Sequence, residues 1–290
     1  MARSDVIPAP LTVATALEAI TTRLADAGIV APRAEARWLV RHVLDWSAAE
    51  LVRGSADVLD ASQVVALVRL VGRRATREPL QLVLGGTGFR GHDLMLRPGV
   101  FVPRPETELL VELALELLPS GAVVVEPCTG SGAVACAIAV ERPDAQVIAT
   151  DVDGAAVALA VDNAARLGAA VDIRHGDLVA PVPDDVRGGV DLLVCNPPYL
   201  AEGEVAGLPP EVAAWDPTAA LVAGPTGHEV SDRLIALVMT WLCPGGWLLL
   251  ELDERRVVQA VDHARAAGLA GAGAVADLAG RPRFLRARRP

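Results

Sequence analysis

The chain has 290 residues, a length that predicts about two domains with a sizeable hydrophobic core. Its 52% hydrophobic and 21% charged residues are typical of globular proteins and exclude intrinsic disorder. The net charge of -10 disfavours a broad nucleic-acid-binding surface, because phosphate neutralisation needs clustered positive charge. All 26 basic residues are arginine, and the chain has one tyrosine, Tyr199, and two asparagines, Asn163 and Asn196. Because these residue types are scarce, their positions are where we look first for chemistry.

No stretch approaches the roughly 20 apolar residues that a membrane span requires. Asp5 and Glu18 interrupt the N-terminal segment, where a signal peptide would need a continuous apolar run. The cysteines show neither CxxC pairing nor a histidine at zinc spacing, so we expect reduced thiols and no metal site. They are Cys128, Cys136, Cys195 and Cys243. We therefore expect a cytoplasmic monomer that makes no membrane contact.

The N-terminal segment 1–78 shows helical patterning only. Apolar residues at helical spacing lead up to Gly28, and Pro32 suits the first turn of a second helix. Ser47 and Glu50, three residues apart, form a capping box for a short third helix. The segment is predicted to be a small helical bundle.

Between residues 79 and 104 the pattern changes to short apolar runs separated by glycines, which predicts a β-hairpin linker. These glycines are Gly85, Gly86, Gly88, Gly91 and Gly99. Pro105 suits the first turn of the helix that follows. The predicted domains are therefore a helical domain over 1–78, the linker over 79–104 and a second domain over 105–290.

In the second domain, apolar strand patterns alternate with helical ones. The predicted strands are 122–126, 146–150, 171–175, 190–196 and 246–252, and the clearest helices are 131–140 and 154–167. Alternation of this kind predicts an α/β fold with a doubly wound, mainly parallel, Rossmann-like sheet.

The first candidate site follows the first of these strands, at Cys128, Thr129, Gly130, Ser131 and Gly132. A strand, a glycine turn and a helix let a ligand approach backbone N–H groups closely. The spacing is not the GxGxxG of dinucleotide sites. It better suits the S-adenosylmethionine turn of class I methyltransferases, although a plain strand-to-helix turn would look the same.

Two acidic residues extend this site. Asp151 directly follows the second strand, where an acid can accept both ribose hydroxyls of an adenosine, or can simply stabilise a helix N-terminus. Asp153 competes for the ribose but fits better as that helix's N-cap. Asp177 follows the third strand, where it could complete an adenine pocket or be an ordinary turn residue.

The sharpest site is Asn196-Pro197-Pro198-Tyr199, at the carboxyl end of a strand. An amide or aminopurine nitrogen is a poor nucleophile because its lone pair is delocalised. The Asn196 side-chain oxygen and the Pro197 carbonyl can both accept from such an NH2 group, which aligns the lone pair at a sulfonium methyl group. Tyr199 offers a flat face for a planar group. A proline-rich loop without such a role is the alternative.

This motif alone leaves the methylated nitrogen open, since adenine-N6, guanine-N2 and glutamine-N5 methyltransferases use relatives of it. Longer segments are more specific. These are EPLQLVLGGTGFRGHDLMLRPGVFVPRPETELLVELAL (78–115), CTGSGAVACAIA (128–139), TDVDGAAVALAVDNA (150–164), DLLVCNPPY (191–199), DPTAALVAGPTG (216–227) and DLAGRPRFLRARR (277–289). In content and order they resemble the release-factor glutamine N5-methyltransferases, the PrmC/HemK family, over nearly the whole chain.

The resemblance implies roles for individual residues. Asn196 and Pro197 would hold a glutamine amide, with Tyr199 packing on it, and these three are the implied catalytic residues. Phe101, Pro198 and Glu251 would also lie beside the substrate. Residues 128–132, Asp151, Asp177 and Asn196 would line the pocket for the cofactor S-adenosylmethionine. The cofactor would leave as S-adenosylhomocysteine. The N-terminal bundle and hairpin would grip a class-1 peptide chain release factor and present its Gly-Gly-Gln loop.

The sequence departs from the family pattern in two places. Cys128 stands where the family usually has the first glycine of the turn, and Pro127 precedes it. After Glu251 the usual Glu-x-Gly pattern is replaced by Leu252-Asp253-Glu254-Arg255. The alternative functions are a nucleic-acid methyltransferase acting on adenine N6 or guanine N2, a paralogue acting on another protein or peptide amide, and a binding module without activity.

Overall fold

A computed structural model describes residues 11–290. Residues 1–10, which include Asp5 and the start of the predicted helical domain, lie outside the described residues. The chain divides into two compact units, Met1–Gly85 and Gly86–Pro290. This boundary falls beyond residue 78, where the sequence predicts the helical domain to end.

The first unit is helical. Its helices are α1 (Val13–Asp26), α2 (Pro32–Leu44), α3 (Ala48–Arg53), α4 (Ala61–Ala75) and α5 (Leu80–Leu84). The predicted helix starts are confirmed, since Pro32 is the first residue of α2 and Ser47 with Glu50 forms the capping box of α3. Apolar side chains of α1, α2 and α4, such as Leu24, Leu39 and Leu67, form the core of this unit.

The segment predicted as a hairpin linker is partly helical. Residues 80–84 form α5, which ends at Gly85 in the left-handed conformation that glycine adopts without strain. The hairpin itself, β1 (Gly86–Phe89) and β2 (His92–Met95), is antiparallel and belongs to the second unit. The short run of apolar residues around Leu82 fits one helical turn as well as a strand, because periodicity cannot separate them at that length.

A seven-stranded sheet organises the second unit. Its strands are β3 (Val123–Pro127), β4 (Gln146–Asp151), β5 (Val171–His175), β6 (Val190–Cys195), β9 (Leu242–Glu251), β10 (Ala270–Ala276) and β11 (Pro282–Arg288). The order is β10-β11-β9-β6-β3-β4-β5, and β11 runs antiparallel to both of its neighbours. The strands from β9 to β5 are parallel, which confirms the doubly wound, mainly parallel sheet.

Helices cover both faces of this sheet. They are α6 (Thr107–Leu117), α7 (Ala133–Glu141), α8 (Gly154–Leu167), α11 (Glu229–Trp241) and α12 (Glu254–Ala266). On one face Leu110 of α6 and Ile138 of α7 enter the core, and on the other Leu234 of α11 and Val257 of α12 do so. The strands are therefore buried on both sides, which explains their continuous apolar runs.

Short elements complete the second unit between β6 and α11. They are β7 (Leu200–Ala201), a 3-10 helix (Glu202–Gly207), α9 (Pro210–Trp215), α10 (Thr218–Leu221) and β8 (Val222–Gly224). A further 3-10 turn, Asp184–Val186, lies between β5 and β6. The chain winds outward from β3 in both directions, through β4 on one side and β6 on the other. At such a reversal of strand order the loops diverge and leave a crevice beyond the carboxyl ends of the strands.

Candidate active site

A cavity of about 360 Å³ opens at this crevice. Its walls come from the loops after β3, β4 and β6, from the segment before α6, and from the short elements between β6 and α11. The volume lies in the range of small-molecule sites. The structure brings most of the predicted site residues to this one cavity: Phe101, Cys128, Thr129, Gly130, Ser131, Asp151, Asn196, Pro197, Pro198 and Tyr199.

The turn after β3 has an unusual backbone. Cys128, Gly130 and Gly132 all have positive φ angles, of 57°, 57° and 79°. At Gly130 an added Cβ would meet no atom within 4 Å, so this residue leaves open space in the wall of the cavity. Cys128 adopts a conformation that costs a side-chain-bearing residue about 1–2 kcal/mol and that glycine adopts without strain.

A buried carboxyl group, Glu126, begins the motif of this turn, although the sequence assigned it no role. Glu126 accepts hydrogen bonds through Oε2 from the Thr129 hydroxyl at 2.6 Å and the Ala135 N–H at 2.9 Å. Burial raises the pKa of Glu126 to about 8, against the opposing effect of these two hydrogen bonds. Its sequence signal was its place at the end of a buried strand, directly before the glycine turn.

Asp153 is the N-cap of α8, as predicted, whereas Asp151 faces the cavity. Asp153 caps α8, because its carboxylate accepts from the Ala155 N–H at 2.8 Å. Asp151 lines the cavity and accepts from the N–H groups of Gly130 at 2.8 Å and Asp153 at 2.9 Å. Burial raises the pKa of Asp151, while these hydrogen bonds lower it. Asp151 therefore joins the turn after β3 to the end of β4.

Asn196 and Tyr199 stand on the loop after β6. The Asn196 side chain donates from Nδ2 to the hydroxyl oxygen of Thr107 at 3.3 Å. The guanidinium carbon of Arg283 lies 5.6 Å from the centre of the Tyr199 ring, and burial raises the pKa of the tyrosine. Gly227 supports this loop from behind, since a Cβ there would come within 2.7 Å of the Tyr199 carbonyl oxygen.

Arg104 packs against Phe101 and is itself held by an acidic residue. The guanidinium of Arg104 lies 4.9 Å from the centre of the Phe101 ring, within reach of a cation–π interaction. Arg104 also forms an ion pair with Asp216, whose side chain is almost fully buried. The segments quoted above as PRPETE and DPTAAL thus pack on each other beside the cavity, a contact between distant stretches that no sequence pattern announced.

Three predicted residues do not line this cavity. Gly132 packs against α8, where its Cβ would approach that of Ala160 to 3.0 Å. Asp177 is half-exposed and pairs with Arg233 at 2.5 Å. Glu251 is buried behind the wall, with one carboxylate oxygen 3.4 Å from Arg283. Their predicted contacts with cofactor or substrate stay predictions, and the geometry gives each of them a partner within the protein.

Within residues 11–290, no group of three or more His, Cys, Asp or Glu side chains is arranged to hold a metal ion. The four cysteines are free thiols, of which Cys136 and Cys195 are buried. No helix in this described part of the chain combines the length and the apolar character of a membrane span.

The strand order, the turn after β3 and the acid after β4 define a class I methyltransferase fold. Family models agree: residues 15–85 match the PrmC N-terminal domain and residues 93–208 match the methyltransferase small domain. A release factor glutamine methyltransferase from Mycolicibacterium smegmatis is 43% identical over 95% of this chain and 97% of its own length. One from Deinococcus radiodurans is 40% identical over 93% and 95%, respectively. The chain belongs to the release factor glutamine methyltransferase family.

Solved structures support the fold alone. The Thermus thermophilus 16S rRNA N2 G1207 methyltransferase, crystallised with AdoMet and guanosine, matches with a TM-score of 0.52 at 20% identity. The match covers 71% of this chain and 50% of that one.

Proposed function

We propose that this protein transfers a methyl group from S-adenosylmethionine to the side-chain amide N5 of the glutamine in the Gly-Gly-Gln motif of class-1 peptide chain release factors. The observation that carries the proposal is the placement of Asn196 and Pro197 on the wall of the cavity that residues 128–131 of the turn also line. Membership of the release factor glutamine methyltransferase family supports the choice of substrate. Such a substrate places the reaction in the cytoplasm.

The residues present fit S-adenosylmethionine, which supplies an electrophilic methyl group on a sulfonium. Gly130 leaves space against the backbone of the turn, and Asp151 offers a carboxylate at the position suited to a ribose. Glu126 adds a carboxyl group, which burial keeps protonated at neutral pH. A nearby cation would favour the ionised form of this group. The cavity can therefore balance the positive charge of this cofactor.

The loop after β6 would activate the substrate amide. The Asn196 side-chain oxygen and the Pro197 carbonyl accept the two hydrogens of the glutamine NH2 group, which turns its lone pair toward the methyl donor. The same acceptors stabilise the positive charge that develops on nitrogen, and the proton is lost after attack. Tyr199 and Phe101 provide apolar surfaces that hold the planar amide and exclude water. The product left by the cofactor is S-adenosylhomocysteine.

We assign recognition of the release factor to the N-terminal helical unit and the hairpin. The chain contains no lysine and has a net charge of -10, which favours a protein partner over a nucleic acid. Because a single chain supplies all of these parts, we expect the protein to act as a monomer.

The test is mass spectrometry of a purified class-1 release factor after incubation with the full-length protein and S-adenosylmethionine. We expect one added methyl group on the Gly-Gly-Gln peptide, none with Asn196→Ala, and cofactor affinity in that variant close to the parent by calorimetry. Methyl transfer to RNA or DNA with the release factor untouched would identify a nucleic-acid methyltransferase instead. No heat on titrating the cofactor would identify a binding module.

A further inference from the structure

A connected set of polar side chains lies behind the wall of the cavity. The Thr107 hydroxyl, on the first residue of α6, is 3% exposed and accepts from the Asn196 Nδ2. Glu251, at the end of β9, is 1% exposed. Its Oε1 accepts from Arg283 at 3.4 Å, and its Oε2 is buried without a hydrogen bond. Arg283 in turn covers Tyr199, so this set touches both ends of the Asn196–Tyr199 segment.

The Glu251 Oε2 has no hydrogen bond, and a proton from the Thr107 hydroxyl, which lowers the pKa of this carboxyl, would satisfy it. A hydroxyl has one proton, and the lone pairs of Thr107 already accept from Asn196. A buried carboxylate oxygen without a donor is costly, so the free hydroxyl proton is drawn to it. Thr107 holds down the pKa of Glu251 in the same sense, against the upward effect of burial.

This direction matters because a primary amide can occupy its site in two orientations. When the Thr107 hydroxyl donates its proton to a hydrogen bond with Glu251, the threonine oxygen can only accept. Asn196 must then turn its NH2 group toward that oxygen. The Asn196 oxygen is then free to face the cavity. If the Thr107 hydroxyl donated to Asn196 instead, the Asn196 amide could reverse. Its NH2 group would then face the substrate NH2 group, and the two groups would repel each other.

We propose that Thr107 and Glu251 are positioning residues, which fix the Asn196 amide so that its oxygen faces the substrate nitrogen. The inference rests on the proposed function for its consequence in catalysis, but the orientation of Asn196 is a property of the free protein. It assigns Glu251 a role behind the cavity wall in place of a direct substrate contact. Arg283 completes the arrangement by neutralising Glu251 and covering Tyr199.

The orientation can be measured without activity, because the chain contains two asparagines. Full-length protein labelled with [¹⁵N]asparagine gives two side-chain NH2 signals in NMR, from Asn163 and Asn196. We expect Thr107→Val to shift the Asn196 pair and speed its hydrogen exchange at least fivefold. Thr107→Ser, which keeps the hydroxyl, should leave the pair at its parental position. The Asn163 pair is the internal control for correct folding, since its partners are elsewhere.

Kinetics give the second readout. Thr107→Val should lower kcat by about 10–100-fold, the loss seen when the hydrogen-bond partner that orients a metal-ligating side chain is removed, with the KM for S-adenosylmethionine changed less than about twofold. Thr107→Ser should recover most of kcat. Glu251→Gln replaces an acceptor by a group that also donates, so we expect a lowered kcat and a shifted Asn196 pair with Thr107 intact. If Thr107→Val does not fold, Thr107→Ala carries the same expectations.

An unchanged Asn196 pair together with unchanged kcat in Thr107→Val would overturn the proposal, as would failure of Thr107→Ser to restore either one. If Glu251→Gln keeps the parental Asn196 signals and the parental kcat, Glu251 has no part in positioning Asn196. If the unmodified protein leaves release factor unmethylated while the Asn196 signals respond as expected, the positioning stands and the proposed substrate fails.

Discussion

Asn163 offers the sharpest test of the reasoning about stability. Its side chain is fully buried in α8 and makes three hydrogen bonds. Oδ1 accepts from the Met95 N–H at 2.8 Å, and Nδ2 donates to the carbonyl oxygens of Met95 at 3.1 Å and Ser131 at 2.9 Å. One side chain thus ties the hairpin strand β2 and the turn after β3 to the same helix.

Replacing Asn163 by Ala leaves one backbone N–H and two carbonyl groups without partners in the interior. Each such loss costs about 1–3 kcal/mol, so we expect the three together to lower the free energy of unfolding by roughly 3–9 kcal/mol. Asn163→Asp keeps the acceptor for the Met95 N–H but sets a carboxylate against two carbonyl oxygens, and should destabilise at least as much. The neighbouring Asp162→Ala is the control, because its half-exposed pair with Arg97 at 2.6 Å is worth about 0–1 kcal/mol.

The assay is urea denaturation followed by tryptophan fluorescence, combined with hydrogen exchange at the Met95 amide. We expect that amide to lose protection in Asn163→Ala and to keep it in Asp162→Ala. A loss below 1 kcal/mol in Asn163→Ala, with the Met95 amide still protected, would refute the view that this side chain joins the three segments.

Three further predictions follow from the site. Asp151→Asn should weaken S-adenosylmethionine binding at least about tenfold by calorimetry, since hydrogen bonds to a charged group contribute about 1.5–3 kcal/mol; unchanged affinity would reject the ribose assignment. Gly227→Ala should lower kcat and destabilise the protein by about 2–4 kcal/mol. The φ of 83° at this position is strained for alanine, and the new Cβ would collide with the Tyr199 carbonyl oxygen. A parental melting temperature would contradict this prediction. Burial raises the pKa of Glu126 from 4.5 to about 8, so the unfolded chain ionises first and the free energy of unfolding falls between these pH values by up to about 5 kcal/mol. Glu126→Gln should lack that part of the pH dependence in denaturation curves at pH 5 and pH 9, and identical slopes would disprove the assignment.

Local signals in the sequence were enough for many elements. The capping box at Ser47 and the proline at residue 32 mark helix starts because they satisfy backbone groups within one turn. Alternation of buried strands with helices implies a doubly wound sheet, because parallel strands need crossover connections. Parallel strands end at the same edge of a sheet, which is why the Asn196 loop and the 128–132 turn could be predicted to lie at the ligand-binding edge.

Residues whose role depends on partners far along the chain could not be assigned in this way. Thr107 meets a loop 89 positions away, and Asp216 pairs with Arg104 across 112 positions. The family resemblance implies that Glu251 lies beside the substrate, and only the structure shows that its side chain is buried next to Arg283. Asn163 carried no local signal beyond its rarity, because its three partners come from two other segments.

The sequence by itself determined the fold class, the family and the Asn196–Tyr199 motif that indicates methyl transfer to nitrogen, since each depends on spacing within short segments. Tertiary structure decided which polar groups face the cavity and which support it. The physical reason is that hydrogen-bond satisfaction in the interior is settled by approach of distant segments, which no periodicity encodes. Of the two asparagines, the structure places Asn196 on the cavity wall and makes Asn163 the tie that joins the hairpin and the turn to α8.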